Sequence, residues 1–237
     1  METTYEMTQA KAARLAGFLW VLTMATSIFA TMYCFSRHVV VGDVTKTAAN
    51  IIANETTFRV GIATMLLTSL GVIVLIWAFY ILLKPVNREL ALLAVLFRIG
   101  EAIILCMMPI QQLVTLKYLG NANHLKAFEP DQLNALANIS MSTYGSGVYV
   151  GFICLGLGSI IFAYLFLKSG YVPSAFAWLG IFASVLLTLG SFFLIIFPAI
   201  RTIVYPYGML PMFFYEIGLG FWLWIKGVRL PESKSTN

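Results

Sequence analysis

Three ionisable side chains interrupt long apolar runs of this sequence: Arg98, Glu101 and Glu216. A charged group at the centre of a lipid bilayer costs at least about 2.5–3.5 kcal/mol, so such groups normally face protein or water. Arg98 and Glu101 are three residues apart and therefore share one helix face. Met108 and Gln112 continue that face and are candidate accessory residues. The pattern predicts a buried polar site that binds a ligand or a proton.

Arg98 and Glu216 are predicted to lie at the same depth. Counted at 1.5 Å per residue, Arg98 is about 14 Å along its helix from Glu89. By the same count, Glu216 is about 15 Å from Lys226. We therefore expect an ion pair between Arg98 and Glu216 that joins two helices. If Glu101 also approaches Arg98, the three groups carry an excess negative charge, and desolvation favours protonation of one carboxyl group.

Two interpretations of this trio remain open. One is a ligand-binding or proton-coupled centre, since perturbed ionisable groups cluster at functional sites. The other is a buried ion pair that fixes the register of two helices. A register-fixing pair needs only one carboxylate, which favours the functional interpretation. Arg59 is a candidate fourth member, although its position near the end of an apolar run favours a side chain that extends to water.

The composition identifies the elements that must position these residues. Of the 237 residues, 60% are hydrophobic and 11% are charged, whereas average soluble domains have roughly 45–50% apolar and about 25% charged residues. The charges are clustered between apolar runs of about 20 residues, the length that spans a hydrocarbon core of roughly 30 Å. The runs lack the alternation expected of barrel strands. The sequence therefore predicts an all-α, polytopic membrane protein.

Six apolar runs are long enough to form membrane-spanning helices. We assign residues 15–225 to a single six-helix transmembrane domain, residues 1–14 to a cytoplasmic N-terminal segment and residues 226–237 to a cytoplasmic tail. The predicted spans are residues 15–35, 58–83, 90–116, 145–167, 175–197 and 207–225.

Two long outer loops are predicted to contain short amphipathic helices. In the first loop, Val44, Ala48 and Ile51 recur at helical spacing among polar residues. In the second, Leu133, Leu136 and Ala137 do the same after Glu129-Pro130-Asp131, a sequence typical of a helix start. Such helices lie on the membrane surface. They would either cover the span ends or act as lids over a cavity that opens outward.

Basic residues predict the orientation and the partners. Lys84, Arg88 and Lys168 lie in short, charge-dense turns, which are typical of the cytoplasmic side. We therefore expect a cell-membrane protein with both termini in the cytoplasm. The net charge of +5 is accounted for by basic residues that flank the spans and match anionic lipid head groups. The expected partner is the bilayer, and no nucleic acid is expected.

Common catalytic and metal-binding motifs do not occur in the sequence. It contains no HExxH, no phosphate-binding P-loop, no GxSxG and no cluster of His with carboxylates. We therefore expect no metal site and no cofactor. Gly147 and Gly151 have the GxxxG spacing of closely packed membrane helices. They predict close packing within the chain, or alternatively the face of a homodimer.

Four stretches together resemble a bacterial integral membrane family catalogued as domain of unknown function 4386. The resemblance implies a helical bacterial inner-membrane protein and no particular activity. Arg98, Glu101 and Glu216 fall within the matching segments, which strengthens their candidacy as a site. The stretches are ARLAGFLWVLT from Ala13, KPVNRELALLAVLFRIGEA from Lys84, YLFLKSGYVP from Tyr164 and YEIGLGFWLWIKGV from Tyr215.

The sequence leaves three classes of function open. The first is a small transporter or binding protein whose mid-membrane Arg/Glu site takes a small or lipophilic molecule. The second is an intramembrane enzyme in which a protonated Glu acts as general acid on a lipid or isoprenoid substrate. The third is a structural or regulatory partner of another membrane protein. A cavity that reaches Glu101 would favour either of the first two.

Overall fold

The regular elements of the chain are helices throughout the part that the structure describes. A computed structural model describes residues 2–120 and 122–230. Residues 231–237 of the predicted tail and Met1 lie outside the described residues. The α-helices in these ranges are α1 Glu2–Ile28, α2 Val44–Ala53, α3 Glu55–Leu83, α4 Arg88–Tyr118, α5 Pro130–Ser169, α6 Ser174–Ile196 and α7 Arg201–Phe221.

Two of these helices continue into wider, π-type turns. Helix α1 continues through Phe29–Phe35 and then a 3-10 turn over Ser36–His38. Helix α7 continues through Trp222–Lys226 and ends at Gly227, whose φ of 71° is readily available only to glycine. These turns lengthen both helices without interrupting them.

Six helices are long and apolar enough to cross a membrane, as the sequence predicts. Because water-soluble proteins do not contain six such segments in 237 residues, the chain is a multi-pass membrane protein. The spans within the described residues are Gln9–His38, Glu55–Leu83, Arg88–Tyr118, Pro130–Ser169, Ser174–Ile196 and Tyr207–Lys226.

The turn between α3 and α4 is encoded locally. Helix α3 ends at Leu83, two residues before Pro85, which lacks the amide hydrogen that a continued helix would need. The Asn87 side chain then accepts a hydrogen bond from the Leu90 amide at 2.9 Å. This cap satisfies one of the free amides at the start of α4. Helix α4 therefore begins with a fixed register, which sets the positions of Arg98 and Glu101.

The first amphipathic helix is present as predicted. Helix α2 is capped by Asp43, whose carboxylate accepts a hydrogen bond from the Lys46 amide at 2.8 Å. Its apolar side is buried through Thr47, Ala48 and Ile51. The cap and the buried stripe together explain why this short segment is helical outside the spans.

The second amphipathic helix is not a separate element, and that part of the prediction is wrong. The helix does start at Pro130, but it continues without a break to Ser169 as a single helix of 40 residues. No proline interrupts it after Pro130, and extending an existing helix is easier than starting a new one. At 1.5 Å per residue it is about 60 Å long, roughly twice the thickness of a hydrocarbon core.

The described chain forms two compact units, and four helices pass from one unit to the other. Unit 1 comprises the described residues of Met1–Val21, Val72–Glu101 and Phe152–Asn237. Its core is rich in aromatic rings: Trp20 packs edge-to-face on both Phe79 and Tyr215, with ring centroids 5.0 and 5.6 Å apart. These rings join α1, α3 and α7 within the unit.

Unit 2 comprises Leu22–Gly71 and Ala102–Gly151. Its core includes Phe35 and Phe58, whose rings lie 5.0 Å apart. The hydroxyl groups of Thr26 and Thr68 form a hydrogen bond of 2.8 Å between α1 and α3. This bond satisfies polar groups that lipid could not.

Candidate functional site

Arg98 and Glu101 form a buried ion pair on α4, within unit 1. Arg98 Nη1 lies 3.0 Å from Glu101 Oε2. The two residues are only 3% and 6% exposed. The predicted common helix face is therefore correct, because a separation of three residues brings the two side chains together.

The ion pair leaves hydrogen-bonding capacity unused. In the described part of the chain, Arg98 Nε and Glu101 Oε2 have no hydrogen-bond partner. The short contact to Glu101 Oε2 is thus an ionic contact without the alignment of a hydrogen bond. Arg98 Nε and Glu101 Oε2 are therefore both buried without a hydrogen bond, although Oε2 keeps its ionic contact with Arg98 Nη1, and native proteins seldom leave buried polar atoms without hydrogen bonds.

Helix α5 positions the Arg98 side chain. A methyl group placed on Gly158 would lie 2.6 Å from Arg98 Cγ and 3.0 Å from the Ala94 carbonyl oxygen. The aliphatic part of Arg98 therefore runs directly over a glycine. Beside it, the Ser159 hydroxyl accepts a long hydrogen bond of 3.4 Å from Arg98 Nη1. The spacing of small residues along α5 could have identified Gly158, whereas no sequence signal marked Ser159.

Glu216 belongs to the same unit but has a different partner from the one we predicted. It is partly exposed on α7, and its carboxylate accepts a hydrogen bond from the Trp20 side chain. The predicted Arg98–Glu216 ion pair is wrong, since the ion pair that Arg98 makes within 4.0 Å is with Glu101. Glu101 lies on the same helix as Arg98, so one turn of helix brings it into contact irrespective of how α7 is rotated.

The three charges nevertheless interact. Arg98 acts electrostatically on both Glu101 and Glu216, and Glu216 acts on Glu101. A single guanidinium group thus interacts electrostatically with two carboxyl groups. If all three are ionised, the group carries one excess negative charge, which is costly in surroundings of low dielectric constant.

Arg59 is exposed, as expected of a residue near the end of an apolar run. Its side chain is 56% exposed, and Nη2 lies 2.7 Å from Glu55 Oε1 on the same helix. The guanidinium is therefore neutralised at the surface of unit 2. Arg59 and Glu55 make a useful exposed counterpart to the buried pair of α4.

Met108 and Gln112 are both buried in unit 2. Gln112 Oε1 has no hydrogen-bond partner among the residues described. Methyl groups placed on Gly147 and Gly151 would meet Met108 Cγ at 3.7 Å and Ile104 Cγ2 at 3.6 Å, respectively. Both glycines thus face α4, but an added methyl group would make only ordinary van der Waals contact there, so neither position requires a glycine. The homodimer through the same residues stays a prediction.

Comparison with known proteins identifies relatives of unknown activity. The family described as "Domain of unknown function (DUF4386)" matches residues 15–227, a range that includes Arg98, Glu101 and Glu216. The chain is also 30% identical over 161 residues to an "Uncharacterized protein" of Archaeoglobus fulgidus, an alignment that covers 67% of this chain and 78% of that protein. No solved structure matches it significantly. The match over almost the whole chain means that this protein belongs to the DUF4386 family of membrane proteins.

Proposed function

We propose that this protein is a small transporter or binding protein whose ligand site is formed by Arg98, Glu101 and Glu216. The observation that carries the proposal is the buried Arg98–Glu101 pair with its unpaired donor and acceptor. A pair that served only to hold helices together would gain stability from complete hydrogen bonding, and a partly satisfied buried network is unfavourable. A ligand with a polar group would supply a hydrogen-bond acceptor for Arg98 Nε and a donor for Glu101 Oε2.

The second carboxylate supports the same proposal. Fixing the register of two helices needs one acidic and one basic group, but Arg98 interacts with both Glu101 and Glu216. An additional carboxylate within a membrane span is costly unless something compensates for it. Ionisable residues within membrane spans commonly mark a pathway for a substrate, an ion or a proton.

The surroundings favour a ligand with a lipophilic body. Glu216 is partly exposed on a helix whose neighbouring outward side chains are apolar, including Phe213, Phe214 and Ile217. Phe214 is well exposed, as expected of a side chain that contacts lipid. A molecule that reaches Glu216 from this side would bring its polar group to the carboxylate while its apolar part stays among these side chains.

The proposal can be tested by identifying what the protein retains during purification. Wild type, Glu101→Gln and the control Glu55→Gln would be purified in a mild detergent and extracted for mass spectrometry. We expect one small molecule to accompany wild type and the control but to be lost from Glu101→Gln, because the substitution replaces the buried carboxylate beside Arg98 by an uncharged amide. The control removes the exposed carboxylate of the Arg59 pair.

Equal recovery of the same molecules from all three proteins would reject the site, as would recovery of no molecule from wild type. Chemical conversion of the retained molecule by purified protein would indicate the intramembrane enzyme instead. Melting temperatures of the three proteins would show whether Glu101→Gln is folded, so that loss of the molecule is not mistaken for loss of structure.

A further inference from the structure

We propose that the loop before α2 is a lipid anchor, in which Val39 and Val41 insert among the phospholipids of the bilayer surface and Arg37 binds their phosphate groups. This valine loop comprises residues 39–42 and lies within unit 2. It is separate in sequence from the ligand site proposed in unit 1 and does not depend on it. The proposal rests on the exposure of the valines, the hydrogen bonds of the loop, its distance from the first span and the charge beside it.

The valine loop presents apolar side chains at the tip of a turn. Val41 is 95% exposed and Val39 is 44% exposed. Gly42 follows with a φ of 81°, which glycine adopts readily, and a methyl group placed on it would meet nothing within 4 Å. The tip therefore has free space around it. Apolar side chains in such a position are stabilised when they leave water for an apolar environment.

The apolar stripe of α2 is not available to lipid. Ala48 and Ile51 are only 5% and 1% exposed, and Ile51 belongs to the core of unit 2. Helix α2 thus packs its apolar side on protein. The most exposed apolar side chain of this segment is Val41, in the loop before the helix. The contact with lipid that an amphipathic helix would make is therefore assigned to the valine loop.

Hydrogen bonds prepare the backbone of the loop for an apolar environment. The Val40 amide donates to Thr47 Oγ1 at 2.9 Å, and the Asp43 amide donates to the Val40 carbonyl at 3.1 Å. The Val39 amide donates to the Ser36 carbonyl at 3.2 Å. Backbone groups that enter lipid must be satisfied within the protein, because no water is available there. The bond to Thr47 also fixes the loop on α2.

The valine loop lies within reach of the bilayer surface. The first span ends at His38, three residues before Val41, and three residues of chain extend over at most about 10 Å. The head-group layer on each side of the hydrocarbon core is about 5–8 Å thick. Phospholipid is thus the neighbour that surrounds every copy of this chain at the position of the loop, whereas a protein partner would have to be recruited.

A basic side chain and an aromatic ring lie next to the valine loop in the sequence. Arg37 is exposed, and its guanidinium carbon lies 5.0 Å from the centroid of the Tyr33 ring. Tyr33 is itself 59% exposed. Aromatic and basic residues at the end of a span are typical of the membrane interface, and a guanidinium group matches the geometry of phosphate oxygens. The charge of Arg37 therefore complements lipid phosphate.

A photoreactive side chain at the tip tests the contact. Val41→benzoylphenylalanine in the full chain would be reconstituted into vesicles with equal amounts of phosphatidylcholine and phosphatidylglycerol. Irradiation links this side chain to its nearest neighbour, and mass spectrometry of the intact protein identifies what was captured. We expect phospholipid adducts. Since Val41 is almost fully exposed, the larger side chain should leave the melting temperature unchanged.

Ala49→benzoylphenylalanine is the matched control. Ala49 is exposed on α2. Because each residue turns a helix by about 100°, Ala49 lies about 160° around the axis from the buried Thr47 and Ile51. Its side chain is therefore on the side of α2 that faces away from protein, and we expect the phospholipid adducts to be lost at this position.

Variants of Arg37 test its part in the anchor. Arg37→Gln, combined with the photoreactive side chain at position 41, should lower the share of phosphatidylglycerol among the adducts by up to about fivefold, the effect of one basic residue near an anionic lipid surface. Arg37→Lys keeps the charge and should retain the share found with Arg37.

Three outcomes would overturn the proposal. Cross-linked dimers in place of lipid adducts at Val41 would assign the loop to a second copy of the chain. Equal lipid capture at Val41 and Ala49, or capture at neither position, would show that the valine tip has no preferred contact with lipid. An unchanged share of phosphatidylglycerol in Arg37→Gln would reject the phosphate contact of Arg37.

Discussion

Two arginines of this chain make the same kind of contact in opposite environments. Arg98 and Arg59 each pair with a glutamate on their own helix, at 3.0 and 2.7 Å. The side chains of the first pair are buried, whereas those of the second pair are 56% and 49% exposed. Because water and salt screen exposed charges but not buried ones, contacts of nearly equal length differ in their importance for stability.

The two arginine pairs predict opposite outcomes of the same substitution. Arg98→Ala should lower the free energy of unfolding by about 3–5 kcal/mol, since it leaves Glu101 buried without a partner. Arg59→Ala should lower it by no more than about 1 kcal/mol. Denaturant titration of the detergent-solubilised proteins would measure both values. Equal losses would contradict the burial of the α4 pair.

At the scale of the elements, the site depends on how closely two helices approach. Gly158 allows the backbone of α5 to lie against the stem of Arg98 and the carbonyl of Ala94. Interiors of proteins are packed densely enough that one added methyl group is felt. The same helix supplies Ser159 to the guanidinium. The orientation of Arg98 is thus a property of the α4–α5 contact, not of α4 alone.

Adding one methyl group to a glycine tests this contact. Gly158→Ala should destabilise the protein by about 1–3 kcal/mol through overpacking, and it should reduce the amount of retained ligand. Gly208→Ala is the matched control, because a methyl group there would meet nothing within 4 Å. Gly208→Ala should stabilise the protein by up to about 1 kcal/mol, because alanine is more favourable than glycine inside a helix. Thermal melting and ligand recovery of both variants give the comparison, and similar melting shifts would contradict the close approach.

At the scale of the whole molecule, the number of spans determines whether the two termini lie on the same side of the membrane. Within the described residues six helices are suited to cross the membrane, and an even number of crossings returns the chain to the side on which it began. Lys84 and Arg88 flank the short turn after the second span, and Lys168 lies at the end of the fourth span. Such turns are typical of the cytoplasmic side. We therefore propose that both termini face the cytoplasm.

Reporter fusions would test this orientation. Fusions after residues 86, 171 and 232 should give a cytoplasmic signal, because basic residues near these positions oppose translocation. Fusions after residues 48, 126 and 202 should give an external signal. The two sets act as controls for one another, since the reporter should switch between a cytoplasmic and an external signal from each position to the next along the chain. An external signal after residue 232 would exclude the proposed orientation.

The sequence by itself determined the class of the protein, the number of its spans and the residues of its candidate site. Apolar length is a local property, so each span could be read from its own 20 or so residues. The cost of a charge in lipid is equally local, which is why Arg98, Glu101 and Glu216 stood out. The equal depth of Arg98 and Glu216 stays a prediction, which counts about 1.5 Å for every residue of a helix.

Only the tertiary structure decided which groups meet. Counting residues gives the depth of a side chain but not the direction in which its helix faces, and for that reason the partner of Arg98 was predicted wrongly. The structure pairs Arg98 with Glu101 and places the Trp20 side chain against the Glu216 carboxylate. It also brings Gly158 of α5 to the aliphatic stem of Arg98 and Ser159 to its guanidinium. These contacts depend on the rotation and separation of neighbouring helices, which are set by the packing of many side chains at once.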